Sequence, residues 1–139
     1  MEFLVLDEAE LNGVAEYILS HLATKNIILF SGNLGAGKTT LIKQIGKKMG
    51  VISAMSSPSF GIVNQYKTKT SRLLNHIDLY RIVHVAELYD FGLPEMLDSG
   101  QLNLIEWPEM AEEIWHQYDY MQVEISIEKG NKRRIFVSC

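Results

Sequence analysis

The sequence has little of what marks secreted, disulfide-linked or membrane-spanning proteins. Cysteine occurs once, at Cys139, which excludes an internal disulfide and a zinc site built from several cysteines. No apolar run reaches the ~20 residues that a membrane-spanning helix needs, and the first residues lack the basic start and apolar stretch of a signal peptide. These absences predict a cytoplasmic protein without a membrane span.

Positive charge is also scarcer than negative charge. The 13 lysines and arginines against 17 acidic residues give a formal net charge of -4. This balance argues against a domain that holds nucleic acid alone, because affinity for the phosphate backbone depends largely on clustered Lys and Arg. One small basic group, Lys43, Lys47 and Lys48, has helical spacing and is interpreted as a solvated helix face. We therefore expect any RNA role to need partner proteins.

The length and composition predict one compact domain over residues 1–139. Folding at this size removes about two-thirds of the unfolded chain's surface from water. The 47% hydrophobic and 22% charged content is ordinary for a soluble globular protein.

Apolar periodicity predicts alternating helices and strands. A helix with Asp7 as its N-cap is expected to open the chain, and an apolar strand at 27–30, the expected centre of the sheet, leads into a glycine-rich segment. The next helix is expected to end at Gly50. The remaining predicted elements are a hairpin of strands 61–66 and 72–78, a helix at 86–91, a strand at 102–106, a helix at 109–116, and closing strands at 121–128 and 134–137. The predicted fold class is α/β, a P-loop NTPase-like three-layer sandwich with a mixed, largely parallel central sheet and helices on both faces.

The glycine-rich segment at 32–39 fits the Walker A pattern G-x-x-x-x-G-K-[ST]. Glycines allow successive backbone N–H groups to point at phosphate oxygens, and the following helix presents the positive end of its dipole. Lys38 would bridge the β- and γ-phosphates, and the Thr39 hydroxyl would bind Mg²⁺. The predicted nucleotide contacts in this segment are Asn33, Leu34, Gly35, Ala36, Gly37, Lys38, Thr39 and Thr40. ATP and Mg²⁺ are therefore the predicted cofactors.

Magnesium needs further oxygen ligands, which in this architecture come from acidic residues at the ends of neighbouring strands. Asp78 and Glu106 each end a predicted strand. Lys38, Asp78 and Glu106 are therefore the predicted catalytic residues. His76 lies on the opposite side of its strand from Ile77 and is interpreted as structural.

Beyond the phosphate loop, the sequence resembles the TsaE (YjeE) family, small bacterial ATPases required for threonylcarbamoyladenosine modification of tRNA. The likeness covers roughly residues 8–137. It is carried by four separated segments: Gly32 to Thr40, Ser57-Pro58-Ser59-Phe60, His76-Ile77-Asp78-Leu79-Tyr80-Arg81 and Leu104-Ile105-Glu106-Trp107.

The resemblance implies an ATPase that acts with the TsaD and TsaB proteins, and that meets tRNA through that complex. It also implies that Thr39 and Glu106 hold magnesium, that Asp78 lies beside the γ-phosphate, and that Trp107 lies close to the nucleotide. Ser57, Pro58, Ser59 and Phe60 would form a mobile, switch-like loop.

This chain departs from the family pattern at three positions. Ser59 replaces a usual threonine but keeps a hydroxyl, and Gln65 replaces a common glutamate, which argues against a base there. Pro108 follows Trp107 where a small residue is usual.

Two other functions fit the same motif. A small kinase would pass the γ-phosphate to a metabolite, although 139 residues leave little room for the arginine-bearing lid of such enzymes. A nucleotide-gated binding module would change the shape of the Pro58 loop without needing hydrolysis. GTP is disfavoured, because the guanine-reading Asn-Lys-x-Asp pattern does not occur. Partner proteins are expected to accelerate a slow intrinsic hydrolysis, since an arginine from a partner adds 10³–10⁵ in rate in related enzymes.

Overall fold

Seven strands of the described chain form one sheet, in the order β1-β7-β6-β2-β5-β4-β3. The structure is a computed structural model and describes residues 1–58 and 62–139. The strands are β1 (Glu2–Val5), β2 (Ile27–Ser31), β3 (Val63–Lys67), β4 (Leu73–Asp78), β5 (Leu102–Glu106), β6 (Met121–Ile127) and β7 (Arg133–Ser138). The helices are α1 (Leu11–Ser20), α2 (Lys38–Lys48), α3 (Ala86–Asp90), α4 (Leu93–Asp98) and α5 (Glu112–Trp115).

Strand β2 lies at the centre of the sheet, as its sequence predicts. Its four apolar residues are buried on both faces of the sheet. It pairs in parallel with β5 and β6, and β4 pairs in parallel with β5. Antiparallel β3 and β7 flank this parallel centre, and β1 lies outside β7. The mixed, largely parallel sheet is thereby confirmed.

Helices cover both faces of the sheet and enclose two apolar cores. One core joins α1 and α2 to side chains such as Ile28, Phe30 and Leu104. The other joins α3, α4 and α5 to the alternating side chains, such as Leu29 and Ile105. This arrangement confirms the predicted three-layer architecture. Among the described residues, no helix has the length and apolar character to cross a membrane.

Two predictions about the elements are wrong, and one helix was not predicted. The first element of the chain is strand β1, where a helix was predicted. Strand β1 pairs with β7, more than 120 residues away in the sequence. Asp7 accepts a hydrogen bond from the Glu10 N–H at 3.2 Å and caps a 3-10 turn that precedes α1. The helix expected at 109–116 is divided into a 3-10 turn, Pro108–Ala111, and α5. Helix α4 was not predicted, because Gly92 and Pro94 at its start indicate a turn.

Candidate functional site

The loop between β2 and α2 depends on two glycines for its path. A Cβ atom on Gly32 would lie 2.6 Å from the carbonyl oxygen of Ile125, so only glycine lets the loop pass this close to β6. Gly37 has a φ of 105° at the N-cap of α2, a conformation that side chains rarely adopt. These positions bring the loop over the carboxyl end of β2 and start α2 directly beneath it.

The first turn of α2 leaves backbone donors without partners. The N–H groups of Lys38, Thr39 and Thr40 make no hydrogen bond within residues 1–58 and 62–139, and the first bond of the helix joins the Leu41 N–H to the Gly37 carbonyl at 3.0 Å. Free N–H groups and the helix dipole together favour an anion at this point. The loop therefore has the form of a phosphate-binding site.

Lys38 is held inside the site, not in solvent. Its side chain is only 5% exposed, its ammonium group donates to the Gly32 carbonyl, and its Nζ lies 3.6 Å from the centre of the Trp107 ring. Burial lowers the pKa of the ammonium group, against the opposing negative charges of Glu106, Glu109 and Asp78. A phosphate would supply the neighbouring negative charge that this buried cation needs.

Glu106, at the end of β5, meets the start of α2. The Thr39 hydroxyl donates towards both carboxylate oxygens, at 3.1 and 3.2 Å, and the Ser57 hydroxyl donates to Thr39 Oγ1 at 3.2 Å. Glu106 is 3% exposed. A hydroxyl and a carboxylate held this close form an oxygen-rich corner of the kind that Mg²⁺ binds.

His76, which the sequence analysis interpreted as structural, contacts a predicted site residue directly. Its Nε2 lies 2.6 Å from Glu106 Oε2, and both side chains are buried. The contact is a hydrogen bond between the imidazole and the carboxyl group, and its donor depends on the tautomer of His76. Nδ1 is buried and has no partner within the described residues. The signal was present: His76 lies two residues before Asp78, hence on the same face of β4.

Asp78 lies next to Glu106 across the sheet, since these residues pair in the register of β4 and β5. One carboxylate oxygen of Asp78 accepts from the Tyr80 N–H at 3.0 Å. Burial raises the pKa of Asp78, the Tyr80 N–H opposes this, and the charge of Glu106 raises the pKa further. Two neighbouring carboxyl groups thus face one positively charged lysine.

Trp107 forms one wall of the site. It follows β5 in the left-handed region, with a φ of 59°, and its ring lies against Tyr80 with centroids 4.9 Å apart. Tyr80 is a second site residue that sequence reasoning did not single out, although it belongs to the quoted His76 to Arg81 segment.

Most of the predicted site residues line one pocket of about 330 Å³. These are Leu34, Gly35, Ala36, Gly37, Lys38, Thr39, Thr40, Ser57, Asp78, Glu106 and Trp107. Asn33 instead lines a groove over β6 and β7, and Pro58 does not line the pocket. Ser59 and Phe60 of the predicted switch loop lie outside the described residues.

A second pocket, of about 210 Å³, adjoins the other side of the phosphate loop. It shares Gly35 to Gly37 and Thr40 with the first pocket and is otherwise lined by β1, the start of α1, and β7, including Asp7, Leu11 and Arg133. The Arg133 Nε donates to the Ala36 carbonyl at 3.0 Å, which ties β7 to the loop.

The described residues contain no group of three His, Cys, Asp or Glu side chains that would hold a metal ion by themselves. Gln65 lies away from the phosphate loop, where it donates to Asn75 Oδ1 at 2.9 Å on the face covered by α4.

Comparisons with known proteins agree on one family. A family model described as Threonylcarbamoyl adenosine biosynthesis protein TsaE matches residues 5–135. Two sequences named tRNA threonylcarbamoyladenosine biosynthesis protein TsaE are similar to this chain. That of Aquifex aeolicus (strain VF5) is 36% identical over 136 residues, covering 96% of this chain and 92% of its own. That of Rickettsia bellii (strain RML369-C) is 38% identical over 108 residues, covering 77% and 74%.

A solved structure shares the fold. The crystal structure of YdiB from Bacillus subtilis matches with a TM-score of 0.74 at 23% identity, covering 99% of this chain and 84% of that one.

Proposed function

The chain belongs to the TsaE family of threonylcarbamoyladenosine biosynthesis proteins, and we propose that it supports this tRNA modification by binding ATP with Mg²⁺ and hydrolysing the ATP. The observation that carries the proposal is the meeting of Lys38, Thr39 and Glu106 around unpaired N–H groups at the start of α2. Cation, hydroxyl, carboxylate and free amide donors together suit a nucleoside triphosphate with its metal.

The two pockets beside the loop would hold different parts of the nucleotide. The triphosphate would occupy the pocket with Lys38 and Glu106, where the positive groups lie. The base would occupy the pocket lined by Asp7, Leu11 and Arg133, which offers both apolar and polar atoms. Because both pockets share Gly35 to Gly37, one molecule can occupy both by passing over the loop.

Thr39 and Glu106 would hold the magnesium ion, and the phosphates and water would complete its ligands. The metal would neutralise charge on the β- and γ-phosphates. His76 Nε2 holds the Glu106 carboxylate at Oε2, so this ligand would be oriented before the metal arrives.

Hydrolysis requires Lys38 to leave the Gly32 carbonyl and the Trp107 ring for a phosphate oxygen. Asp78, held by the Tyr80 N–H, would orient the attacking water by accepting a hydrogen bond from it. Water forms a bond to the γ-phosphorus, the bond to the β-γ bridging oxygen breaks, and ADP and inorganic phosphate leave.

The test is ATP hydrolysis by the wild type and by Lys38→Ala and Glu106→Ala variants, each with and without TsaD, TsaB and tRNA. We expect slow hydrolysis that depends on both residues and rises when the proposed partners TsaD and TsaB are added. If TsaD and TsaB leave the rate of ATP hydrolysis unchanged, the proposed partnership is contradicted. If the protein binds ATP but does not hydrolyse it under any of these conditions, the proposed ATPase activity is contradicted.

A second function, a nucleotide-gated binding module, is favoured by the Ser57 contact. Ser57 follows α2 by nine residues, and its hydroxyl bonds to the same Thr39 oxygen that would bind the metal. Metal binding at Thr39 would alter this contact and so change the segment that carries Ser57 and Pro58. Equal partner binding with ATP and with a non-hydrolysable analogue, each stronger than without nucleotide, would favour gating over hydrolysis.

A further inference from the structure

Basic and acidic residues are concentrated in different stretches of the chain, which the small net charge does not indicate. Asp78 is the single acidic residue between Lys25 and Arg81, a stretch that carries most of the lysines. Between Arg81 and Lys129 there is no lysine or arginine, whereas acidic residues are frequent. The formal net charge of -4 therefore averages over a basic stretch, 25–81, a strongly acidic stretch, 82–128, and two shorter end stretches, of which 1–24 is acidic and 129–139 is basic.

The fold places these two parts on opposite sides of the sheet. The basic stretch forms α2 and the β3-β4 hairpin, whose Tyr66 and Leu74 belong to the core beneath α1 and α2. The acidic stretch forms α3, α4 and α5, which cover the other face. The surface around α2 is thus positive, although the neighbouring α1 carries Glu16 and no lysine or arginine, and the layer of α3, α4 and α5 is negative.

Five exposed residues at the far end of α2 form what we call the basic surface: Lys43, Lys47, Lys48, Lys69 and Arg72. Lys43 and Lys47 are one helical turn apart. The hairpin joins them where the Lys69 N–H donates to the Gly50 carbonyl at 3.0 Å, and a Cβ on Gly50 would lie 2.8 Å from the Lys69 side chain. Arg72 is tied to the same turn, since its carbonyl accepts from Thr68 Oγ1 at 2.7 Å.

Little of this positive charge is neutralised by the protein. Lys48 lies 3.8 Å from Glu16 of α1. Lys43, Lys47, Lys69 and Arg72 form no ion pair with any acidic residue of 1–58 or 62–139. Exposed cations that repel one another are unfavourable for the isolated chain, so an anionic partner would gain from all of them.

We propose that the basic surface is a docking site for the sugar-phosphate backbone of RNA. The inference rests on the proposed function, because a role in tRNA modification brings this chain close to an RNA. RNA is favoured over an acidic protein, since no exposed aromatic side chain lies in residues 43–58 or 62–72 and Ile52 is the one large apolar side chain exposed there, whereas protein interfaces centre on clusters of aromatic and apolar anchors.

Docking here leaves the nucleotide pocket open. Lys38 and Lys47 are nine residues apart on α2, which corresponds to about 13 Å along the helix axis. RNA and ATP can therefore bind at opposite ends of the same helix. About four phosphate contacts imply a slope of roughly -3 in log K against log salt, and the net negative charge keeps the affinity of the isolated chain low.

The test is filter binding of unmodified tRNA at several salt concentrations. The variant Lys43→Glu/Lys47→Glu is compared with Lys67→Glu/Lys129→Glu, which makes the same change in net charge outside the basic surface. We expect the first variant to bind at least about tenfold more weakly, with a salt slope smaller by about 1.5 because two phosphate contacts are lost. The control should stay within about twofold of the wild type. Calorimetric ADP binding should be equal in all three.

Three results would overturn the proposal. They are no tRNA binding by the wild type at low salt, equal loss in the control variant, or loss of TsaD and TsaB binding by Lys43→Glu/Lys47→Glu without any RNA present. The last result would assign the surface to an acidic protein. The tRNA-binding assay contains no ATP and is therefore independent of the hydrolysis assay. If the protein binds tRNA but does not hydrolyse ATP, the proposed ATPase function is contradicted and the proposed docking surface is not.

Discussion

Strands β4 and β5 carry polar side chains at both ends, and the two ends differ in kind. Near their start, Asn75 and Asn103 pair across the strands, fully buried, beneath α4. Three residues later, about 10 Å along the strands, Asp78 and Glu106 pair on the opposite face beside α2. One end holds neutral amides and the other holds carboxyl groups.

At the amide end, every buried polar group has a partner. Asn75 Nδ2 donates to Asn103 Oδ1 at 2.9 Å and to Gln101 Oε1 at 2.7 Å, and Asn75 Oδ1 accepts from Gln65. Asn103 Nδ2 in turn donates to the Gln101 carbonyl at 3.0 Å. We call Gln65, Asn75, Gln101 and Asn103 the amide ladder.

At the carboxyl end, groups are left without partners. His76 Nδ1 and the N–H groups that begin α2 have none among the described residues, and Lys38 is buried against its own loop. Satisfied neutral groups stabilise a fold, whereas buried charges and unpaired donors cost stability unless a ligand completes them. The comparison teaches that the amide ladder holds the strands and the carboxyl end is arranged for a ligand.

Glu106→Gln is expected to give the largest effect and to separate activity from stability most clearly. The substitution keeps the shape of the side chain and removes its charge. We expect kcat for ATP hydrolysis to fall by about 10²–10³, as for loss of one transition-state contact, while the free energy of unfolding stays equal or rises. Steady-state kinetics and urea unfolding measure the two effects. If Glu106→Gln is less stable than the wild type but its folded molecules hydrolyse ATP at the normal rate, the distinction between the two ends of the strands is wrong.

The amide ladder should respond in the opposite way. Asn75→Ala leaves Gln65 and Asn103 with unpaired groups, and we expect the free energy of unfolding to fall by about 2–3 kcal/mol. The kcat per folded molecule should be unchanged. The matched control is Gln117→Ala, which removes an exposed amide outside the ladder and should cost less than half as much. Loss of kcat in Asn75→Ala at full folding would contradict the division.

His76 tests whether a residue between the two ends supports the ligand or the fold. In His76→Phe the ring volume is kept and the hydrogen bond to Glu106 is lost. We expect Mg²⁺ affinity in the presence of ADP, measured by calorimetry, to fall by about 10–100-fold, with ADP binding in the absence of metal little changed. If His76→Asn, which retains a donor, does not recover part of that affinity, the hydrogen bond is not the cause.

The smallest effect concerns pH. Because burial raises the pKa of Asp78 above 3.8, the folded state holds its proton to a higher pH than the unfolded state. Asp78 therefore lowers stability as the pH rises from about 3.8 through the folded pKa, and the loss persists at pH 7. We expect Asp78→Asn to raise the Tm at pH 7, with the gain vanishing as the pH falls below 4. A gain that is independent of pH would point to a cause other than charge.

The sequence predicts the parts of the site that local pattern determines. Lys38 and Thr39 follow from glycine spacing, and Asp78 and Glu106 follow from their places at strand ends. Strand alternation places His76 on the same face as Asp78, but its contact with Glu106 could not be predicted, because Glu106 is 30 residues away and the contact depends on the register of β4 and β5.

Other features depend on pairing over long distances or on summed charge. Strand β1 has only four residues and exists because β7 offers it an edge. Lys43, Lys47 and Lys48 were interpreted as a solvated face, because the sequence does not indicate that Lys69 and Arg72 join them. The roles of Ser59 and Phe60, and the need for TsaD and TsaB, stay predictions.

The position of Trp107 gives the molecule an optical reporter of its own. The chain has two tryptophans, and the ring of Trp107 lies 3.6 Å from the Lys38 ammonium group, so a nearby positive charge acts on its indole. Trp115 is buried elsewhere, with its Nε1–H donating to the Pro108 carbonyl at 2.8 Å. We expect the fluorescence of Trp107 to change if Lys38 moves to a phosphate, and a Trp115→Phe variant would isolate that signal. Occupancy of the proposed phosphate site could thus be followed in real time without a label.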